Sequence, residues 1–295
     1  MRLIVHGGAG ANPANPADRQ AVLDRAAERG ARAERPLAAV ETAVRVLERD
    51  ERFNAGRGSA VQSDGTVRVD AGVMTADRAV GAVASLTGVE HPVSVARAVC
   101  EETPHVLLAG DPGVAFAGHV GVTTDQDLLT DATRERYAAA DPPGPEASTD
   151  EQLAWVRDRF GDDAGGTDPT RADHDTVGAV AGDGERFAAA TSTGGRWFAL
   201  AGRVGDVPQV GSGFYCTPAG GASATGAGEE IARVTLARRA VDRLEDGATA
   251  QDAAEGAIEE FATVTGSRAG VIVLDDAGVG SAYNSDAMQT VVGER

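Results

Sequence analysis

Thr176 stands where a polar, glycine-rich stretch at 161–175 gives way to an apolar run at 177–181. A threonine opening a buried strand, behind an approach that can be cut, is how an N-terminal nucleophile is carried inside a precursor. Breaking the Asp175–Thr176 bond leaves Thr176 with a hydroxyl and a free α-amine, a nucleophile and its base in one residue. An α-amine titrates near ~8, against ~10.4 for lysine, so a usable fraction is neutral under physiological conditions. The same threonine also fits the plainer role of a β-branched residue at a strand entry.

Three later segments carry related chemistry. Thr191-Ser192-Thr193-Gly194-Gly195 sets three hydroxyls beside glycines, so its backbone can lie close to a ligand. Gly202-Arg203-Val204-Gly205-Asp206 presents a cation and an anion three residues apart in a glycine-framed turn. An amino acid's α-carboxylate is matched by a bidentate guanidinium and its α-ammonium by a carboxylate. Taken alone, that spacing also describes a surface ion pair. Ala224-Thr225-Gly226-Ala227-Gly228-Glu229 leads into a helix, with a hydroxyl and N–H groups suited to an oxyanion. Simple helix capping explains it as well.

Other chemistries find little support. His6-Gly7-Gly8-Ala9-Gly10 follows a strand but lacks the Gly-Lys-Ser/Thr ending of a phosphate loop, so it reads as a tight turn. The five histidines, His6, His91, His105, His119 and His174, show no ligand spacing that would hold a transition metal. No G-x-S-x-G elbow occurs, which argues against an α/β-hydrolase serine triad.

Composition narrows the classes further. Lys and Arg total 27, all of them arginine, against 45 Asp and Glu, giving a net charge of −18. Such a surface repels phosphate backbones and argues against nucleic-acid partners. Self-repulsion is screened in strong salt, where the Debye length falls to about 3 Å at 1 M, so the charge fits a salt-rich, halophilic cytoplasm. Cys100 and Cys216 have no Cys-x-x-Cys spacing, and the opening residues run into a glycine turn rather than a secretory leader. No apolar run reaches the about 18 residues of a membrane span. The expectation is a reduced, cytoplasmic protein.

The elements that must position these residues follow from hydrophobic periodicity. A strand over 3–5 is closed by the glycine turn. Two helices follow, split near Gly30 and Pro36, the second burying Leu37, Val40, Val44 and Leu47 on one face. A loop at 53–58 precedes paired strands at 67–74 and 79–86 and a helix at 91–102. Composition at 141–175 marks a flexible linker with one short helix around 152–160. After Thr176 come strands at 177–181 and 186–191, helices at 229–244 and 250–264, and strands at 270–274 and 281–284. Paired strands and paired helices predict an α+β fold of two packed sheets covered by helices, rather than a doubly wound one. The 295 residues read as a single domain.

Seven segments in order resemble the plant-type L-asparaginase and isoaspartyl peptidase family of N-terminal-nucleophile hydrolases. They are His6-Gly7-Gly8-Ala9-Gly10, Phe53-Asn54-Ala55-Gly56, Asp70-Ala71-Gly72-Val73-Met74, Thr176-Val177-Gly178-Ala179-Val180-Ala181, Thr191-Ser192-Thr193-Gly194-Gly195, Gly202-Arg203-Val204-Gly205-Asp206 and Thr225-Gly226. The resemblance implies a four-layer αββα sandwich, autocleaved into chains 1–175 and 176–295. It implies that Thr176 is nucleophile and base, supported by Thr193, with Asn54 nearby. Arg203 and Asp206 would clamp the substrate's α-groups, and Thr225 with the Gly226 N–H would form the oxyanion hole.

Activity on L-asparagine or β-aspartyl dipeptides, without a catalytic cofactor, is what this implies. A loop at 47–57 would wrap a structural Na+ or K+ through the carbonyls of Leu47, Glu48, Asp50, Phe53, Ala55 and Arg57. Processed units would associate with one another. Asp175–Thr176 departs from the Gly-Thr of the asparaginase branch and resembles the glycosylasparaginase and taspase branches, while Thr191–Gly195 resembles the asparaginase branch. The alternatives are therefore a glycosylasparaginase-like or taspase-like enzyme and, more distantly, a non-catalytic acidic protein.

Overall fold

The computed structural model describes residues 1–144, 146–160 and 176–295. Its elements in chain order begin with β1 (Arg2–Gly10), α1 (Pro16–Ala31), α2 (Pro36–Glu48), β2 (Val69–Thr75), β3 (Val80–Leu86) and α3 (Pro92–Glu102). There follow β4 (Leu107–Ala109), α4 (Gly110–His119), α5 (Asp131–Ala139) and α6 (Thr149–Phe160). Beyond Thr176 lie β5 (Val177–Gly182), β6 (Phe187–Thr193), β7 (Phe214–Thr217), β8 (Gly220–Gly226), α7 (Gly228–Val234) and α8 (Leu236–Glu245). The chain finishes with α9 (Ala250–Thr265), β9 (Ala269–Leu274), β10 (Val279–Tyr283) and β11 (Ala287–Glu294). The fold is α+β, with a seven-stranded sheet ordered β11-β1-β5-β6-β2-β3-β4 and a four-stranded sheet ordered β10-β9-β8-β7.

Strand parity explains how the two sheets meet. Leu3, Val5, Val69, Ala71, Val73, Val177, Ala179 and Ala181 join the apolar cluster under α1, α2 and α3. Their alternates Ile4, Met74, Val180 and Ala189 join the cluster shared with the small sheet, which α8 and α9 cover. Side chains alternate across a strand, so every second residue of β5 and β6 looks into the inter-sheet layer. The sheets approach closely there, since a Cβ on Gly178 would stand 2.0 Å from Ser223 Oγ.

Helix starts are written in proline: Pro16, Pro36 and Pro92 each occupy the first turn, where the missing N–H costs nothing. Three expectations are corrected. The glycine run after Val5 is not a turn, because β1 continues to Gly10 with an irregularity between His6 and Ala9. The helix expected over 229–244 breaks at Thr235, which is left-handed at φ 56°. There the first amides of α8 leave the helix path: Ala237 N donates to Ser212 O at 3.2 Å and Arg238 N to Gly211 O at 2.8 Å. The chain also does not finish on the strand at 281–284, because β11 pairs antiparallel with β1.

Candidate active site

Thr176 immediately precedes β5 and Thr193 ends the adjacent β6. Both are buried, and Thr176 Oγ1 donates to Thr193 Oγ1 across 3.1 Å. Thr193 Oγ1 accepts in turn from Gly195 N at 3.0 Å, which directs its own lone pairs and proton within a fixed loop. Asp175 lies outside the described residues. Asn54 braces that loop: its Nδ2 donates to Gly195 O at 2.6 Å, and its Oδ1 accepts Ala60 N at 2.8 Å. Gly194 is required by this approach, because a Cβ would stand 2.5 Å from Asn54 Oδ1 and 2.3 Å from Ser59 Cβ.

The alternation of β6 sorts its three hydroxyls. Thr191 and Thr193 face the inter-sheet layer, while Ser192 faces the helices and donates to the buried carboxylate of Glu48 at 2.7 Å. That carboxylate also accepts Val93 N at 3.1 Å and contacts His91 Nδ1 at 3.1 Å. It thereby ties α2 to the start of α3 directly behind Thr193. On the opposite face, Thr191 Oγ1 donates to Gly213 O at 2.8 Å and meets Ser223 Oγ at 2.7 Å, which meets His6 Nε2 at 2.9 Å. Burial pushes the His6 imidazolium down to about 3, partly opposed by the Thr176 backbone beside it, so this imidazole is neutral.

Thr225 is the last residue but one of β8 and is fully buried, with Oγ1 accepting Ala9 N at 3.2 Å. Gly178 and Ser223 touch across the layer, so Thr176 and Thr225 each stand two residues from that contact on the facing sides of their strands. Gly226 adopts φ +139°, where a Cβ would meet Arg268 O at 2.6 Å. The Thr225-Gly226 step therefore belongs to the end of a strand rather than to a helix cap.

Arg203 and Asp206 come together beside this cluster. Glycines frame the guanidinium: Cβ atoms on Gly205 and Gly228 would approach Arg203 Nη atoms to 2.7 and 2.8 Å, and one on Gly195 to 3.6 Å. Its Nε donates to Glu229 Oε1 at 2.8 Å, a partner that local sequence does not announce because Glu229 reads there only as the start of a helix. Burial works against the charge on Arg203, but the Glu229 hydrogen bond and charge, with Asp206 and Asp70, more than offset it and hold the guanidinium protonated. Burial would likewise raise Glu229, yet Arg203 and then Arg196 bring it down to about 2.

Two further carboxyls surround the guanidinium in a drier setting. Burial raises Asp206 to about 7 against the pull of Arg203, and raises Asp70 to about 6 against the Ser85 amide and Arg203. Asp206 Oδ2 is buried without a hydrogen-bond partner. Asp70 pairs with Thr193 in the β2–β6 register and accepts Ser85 N at 2.7 Å. The arrangement brings two hydroxyls, a guanidinium and a carboxyl with one oxygen lacking a hydrogen-bond partner into one neighbourhood.

The loop after α2 gathers carbonyls. Leu47 O accepts Asp50 N at 3.1 Å, Glu48 O accepts Arg57 N at 2.8 Å, and Asp50 O accepts Phe53 N at 3.1 Å. A Cβ on Gly56 would meet Glu48 O and Glu90 O at 2.4 Å each, so oxygens converge there. Arg57 directs its half-exposed side chain toward Glu51 rather than into the loop. Among the described residues no cluster of three or more His, Cys, Asp or Glu could hold a metal ion, and no helix is long and apolar enough to cross a membrane.

Comparison with known proteins adds an independent line. Residues 1–294 match the family model described as asparaginase. The chain is similar to the plant-type L-asparaginase of Pyrococcus furiosus, 38% identical over 302 residues that cover 98% of this chain and 94% of that one. It is similar to the plant-type L-asparaginase of Pyrobaculum calidifontis, 40% identical over 86% of this chain and 83% of that one. Similarity extends to the isoaspartyl peptidase/L-asparaginase of Rattus norvegicus, 36% identical over 85% of this chain and 73% of that protein.

Proposed function

The chain belongs to the asparaginase family that its residues 1–294 match, and from that premise we propose an autoprocessing amidohydrolase that releases L-aspartate from L-asparagine or β-aspartyl dipeptides. The observation that carries the reading is the Thr176–Thr193 hydroxyl pair at 3.1 Å beside Arg203 and the unpartnered Asp206 Oδ2.

Processing comes first. The Thr176 hydroxyl attacks the Asp175 carbonyl, the peptide shifts to an ester, and water cleaves that ester to give chains 1–175 and 176–295. The new α-amine then takes the Thr176 hydroxyl proton as Oγ attacks the substrate's side-chain carbonyl carbon. Arg203 holds the α-carboxylate and Asp206 the α-ammonium, so substrates lacking free L-configured α-groups fit poorly. The carbonyl oxygen gains negative charge and is stabilised by the Thr225 hydroxyl and the Gly226 N–H. The amine returns its proton to the leaving nitrogen, ammonia or an amino acid departs, and water hydrolyses the β-aspartyl ester by the reverse route. Thr193 orients Oγ of Thr176, and Asn54 holds the loop that orients Thr193.

The reading extends to architecture and setting. Two sheets, each with helices on its outer side, support a four-layer αββα sandwich of the N-terminal-nucleophile class. The converging carbonyls of the loop from Leu47 to Arg57 are hard oxygen donors with a second lone pair each, which suits a structural Na+ or K+ supporting the loop that carries Asn54. Cys100 and Cys216 are free thiols, in keeping with a reducing cytoplasm. Processed units associate; sedimentation of the mature protein at the 30.0 kDa of one chain rules that out.

End-group sequencing of purified protein tests the core. Wild type should show a second N-terminus at Thr176 and should turn over L-asparagine or β-aspartyl dipeptide. Thr176→Ala should remain one chain and inactive. An active, uncut wild type, or a cut and active Thr176→Ala, defeats the proposal. Preferential turnover of N-acetylglucosaminyl-asparagine would replace it by the glycosylasparaginase-like alternative.

A further inference from the structure

Arg203 is carried by a turn between β6 and β7, and a side chain is only as well placed as the backbone beneath it. At Gly202 that backbone is exposed and left-handed, with φ 85°. Arg203 N donates to Leu200 O at 2.9 Å, a bond inside the turn that cannot fix the turn against the rest of the site.

The anchors come from residues 62 and 63. Ser63 N donates to Ala199 O at 2.8 Å, and Ser63 Oγ accepts Ala201 N at 3.0 Å. Buried Gln62 spans the next step of the turn: its Oε1 accepts Gly202 N at 2.8 Å and its Nε2 donates to Arg203 O at 2.9 Å. Gln62 Oε1 also accepts Arg68 Nη1 at 2.8 Å, which fills its second lone pair. Turning the amide over would set its N–H groups against two donors, so the network admits one orientation.

Gln62 is itself fixed in place. Val61 bridges to Val67, Gln62 N donates to Thr66 O at 3.1 Å, and Gly65 takes the left-handed φ of 81° that the tight turn requires. Arg68 grips both oxygens of Asp64 at 3.0 and 2.8 Å, so the guanidinium that holds Gln62 is anchored in the same turn. Burial would raise Asp64, but Arg68 and the Thr66 amide more than offset it and hold that carboxyl below its usual range.

We infer that Gln62 is a positioning residue for substrate recognition: its amide sets the backbone of the turn from which Arg203 reaches the substrate's α-carboxylate. The inference rests on the α-carboxylate role proposed above for Arg203 and adds a residue to it. Gln62 lies on the 1–175 side of the proposed cut and Arg203 on the 176–295 side, so one fragment aims the other's cation.

The test uses mature protein, L-asparagine and L-aspartic acid diamide, which presents the same side-chain amide without an α-carboxylate. Wild type should favour L-asparagine by at least about tenfold, the scale of a charge-assisted hydrogen bond. Gln62→Met keeps the length of the side chain and removes its hydrogen bonds. It should raise KM for L-asparagine about tenfold with kcat within about twofold, and shrink the preference over the diamide by a similar factor, with Thr176 still liberated. Gln62→Glu keeps the acceptor for Gly202 N and Arg68 but cannot donate to Arg203 O, so it should fall between Gln62→Met and wild type, and it carries the test if Gln62→Met does not fold. A loss shared equally by both substrates overturns the inference, as does a wild-type preference left intact in the folded variants. Wild type that treats asparagine and diamide alike overturns the Arg203 role instead, and wild type inactive on both overturns the proposed function.

Discussion

Gly228→Ala separates the site from the fold more cleanly than removal of any charged group. A Cβ at this position would stand 2.7 Å from Asp206 Oδ1 and 2.8 Å from Arg203 Nη2. Restoring an ordinary contact of about 3.5 Å from 2.7 Å moves the carboxylate oxygen by about 0.8 Å. Gly228 opens α7 without a positive φ, so alanine suits its backbone, and an entropic gain of up to about 1 kcal/mol is set against the cost of displacing the two side chains. A misplacement near 1 Å at a positioning group costs about a hundredfold when geometry is strict. Arg203 is long and yields easily, so the expected loss in kcat/KM is roughly ten- to a hundredfold, about 1.4–2.8 kcal/mol. It should fall chiefly on KM, with the chain still folded and Thr176 still liberated. Thermal melts, end-group analysis and steady-state kinetics on one preparation decide it. Wild-type KM in a correctly processed Gly228→Ala protein would show that Arg203 and Asp206 do not hold the substrate where the geometry puts it.

Two further outcomes follow from charge. Asp206 is raised to about 7, so it must lose its proton to accept an α-ammonium. L-Aspartate binding to uncut Thr176→Ala, which lacks the new α-amine, should therefore strengthen as pH rises toward and past about 7, and Asp206→Asn should flatten the profile by calorimetry. The sign for stability is opposite: the folded state keeps the proton longer than the unfolded chain, so Asp206 and Asp70 cost stability as pH climbs from the ordinary carboxylate range through about 7 and about 6. Binding that does not vary across this range would remove the role given to Asp206. The net charge of −18 predicts a Tm that climbs between low and molar salt, since screening relieves self-repulsion. Exposed arginine–carboxylate pairs oppose the trend but are worth only about 0–1 kcal/mol each. Equal Tm at both ionic strengths refutes it, and a rise specific to K+ or Na+ over choline marks the alkali site.

Much of the site is legible in the chain because its parts lie at strand ends with strong local signals. The apolar runs on either side of Asp183-Gly184 announce β5 and β6, and their pairing forces Thr176 and Thr193 together at the open end. What escapes is organised by close packing rather than by periodicity. β8 reads Gly220-Gly221-Ala222-Ser223-Ala224-Thr225-Gly226, a composition poor in strand formers, and it is a strand because the neighbouring sheet lies too near for larger residues. Gly7 of β1 is small for a similar reason: a Cβ there would meet the Phe53 ring at 2.8 Å. The Glu229–Arg203 bond spans 26 residues, and Glu48 reaches Ser192 across 144, so no local pattern could announce either. The break at Thr235 is likewise imposed from outside, by carbonyls of the turn at 211–212 that claim the amides of α8.

The large sheet has one more consequence, for what a cut at Asp175–Thr176 leaves behind. Its order places β1 between β11 and β5, and sets β2, β3 and β4 beyond β6. The two fragments would therefore be woven through one another, each supplying the middle of the other's hydrogen-bonded ladder. Parting them means unzipping the sheet along three seams, so the nicked enzyme should travel as one particle until heat or denaturant opens it. Once apart, the halves must find each other in solution, and recovery of activity should depend on concentration for the mature form but not for the uncut chain.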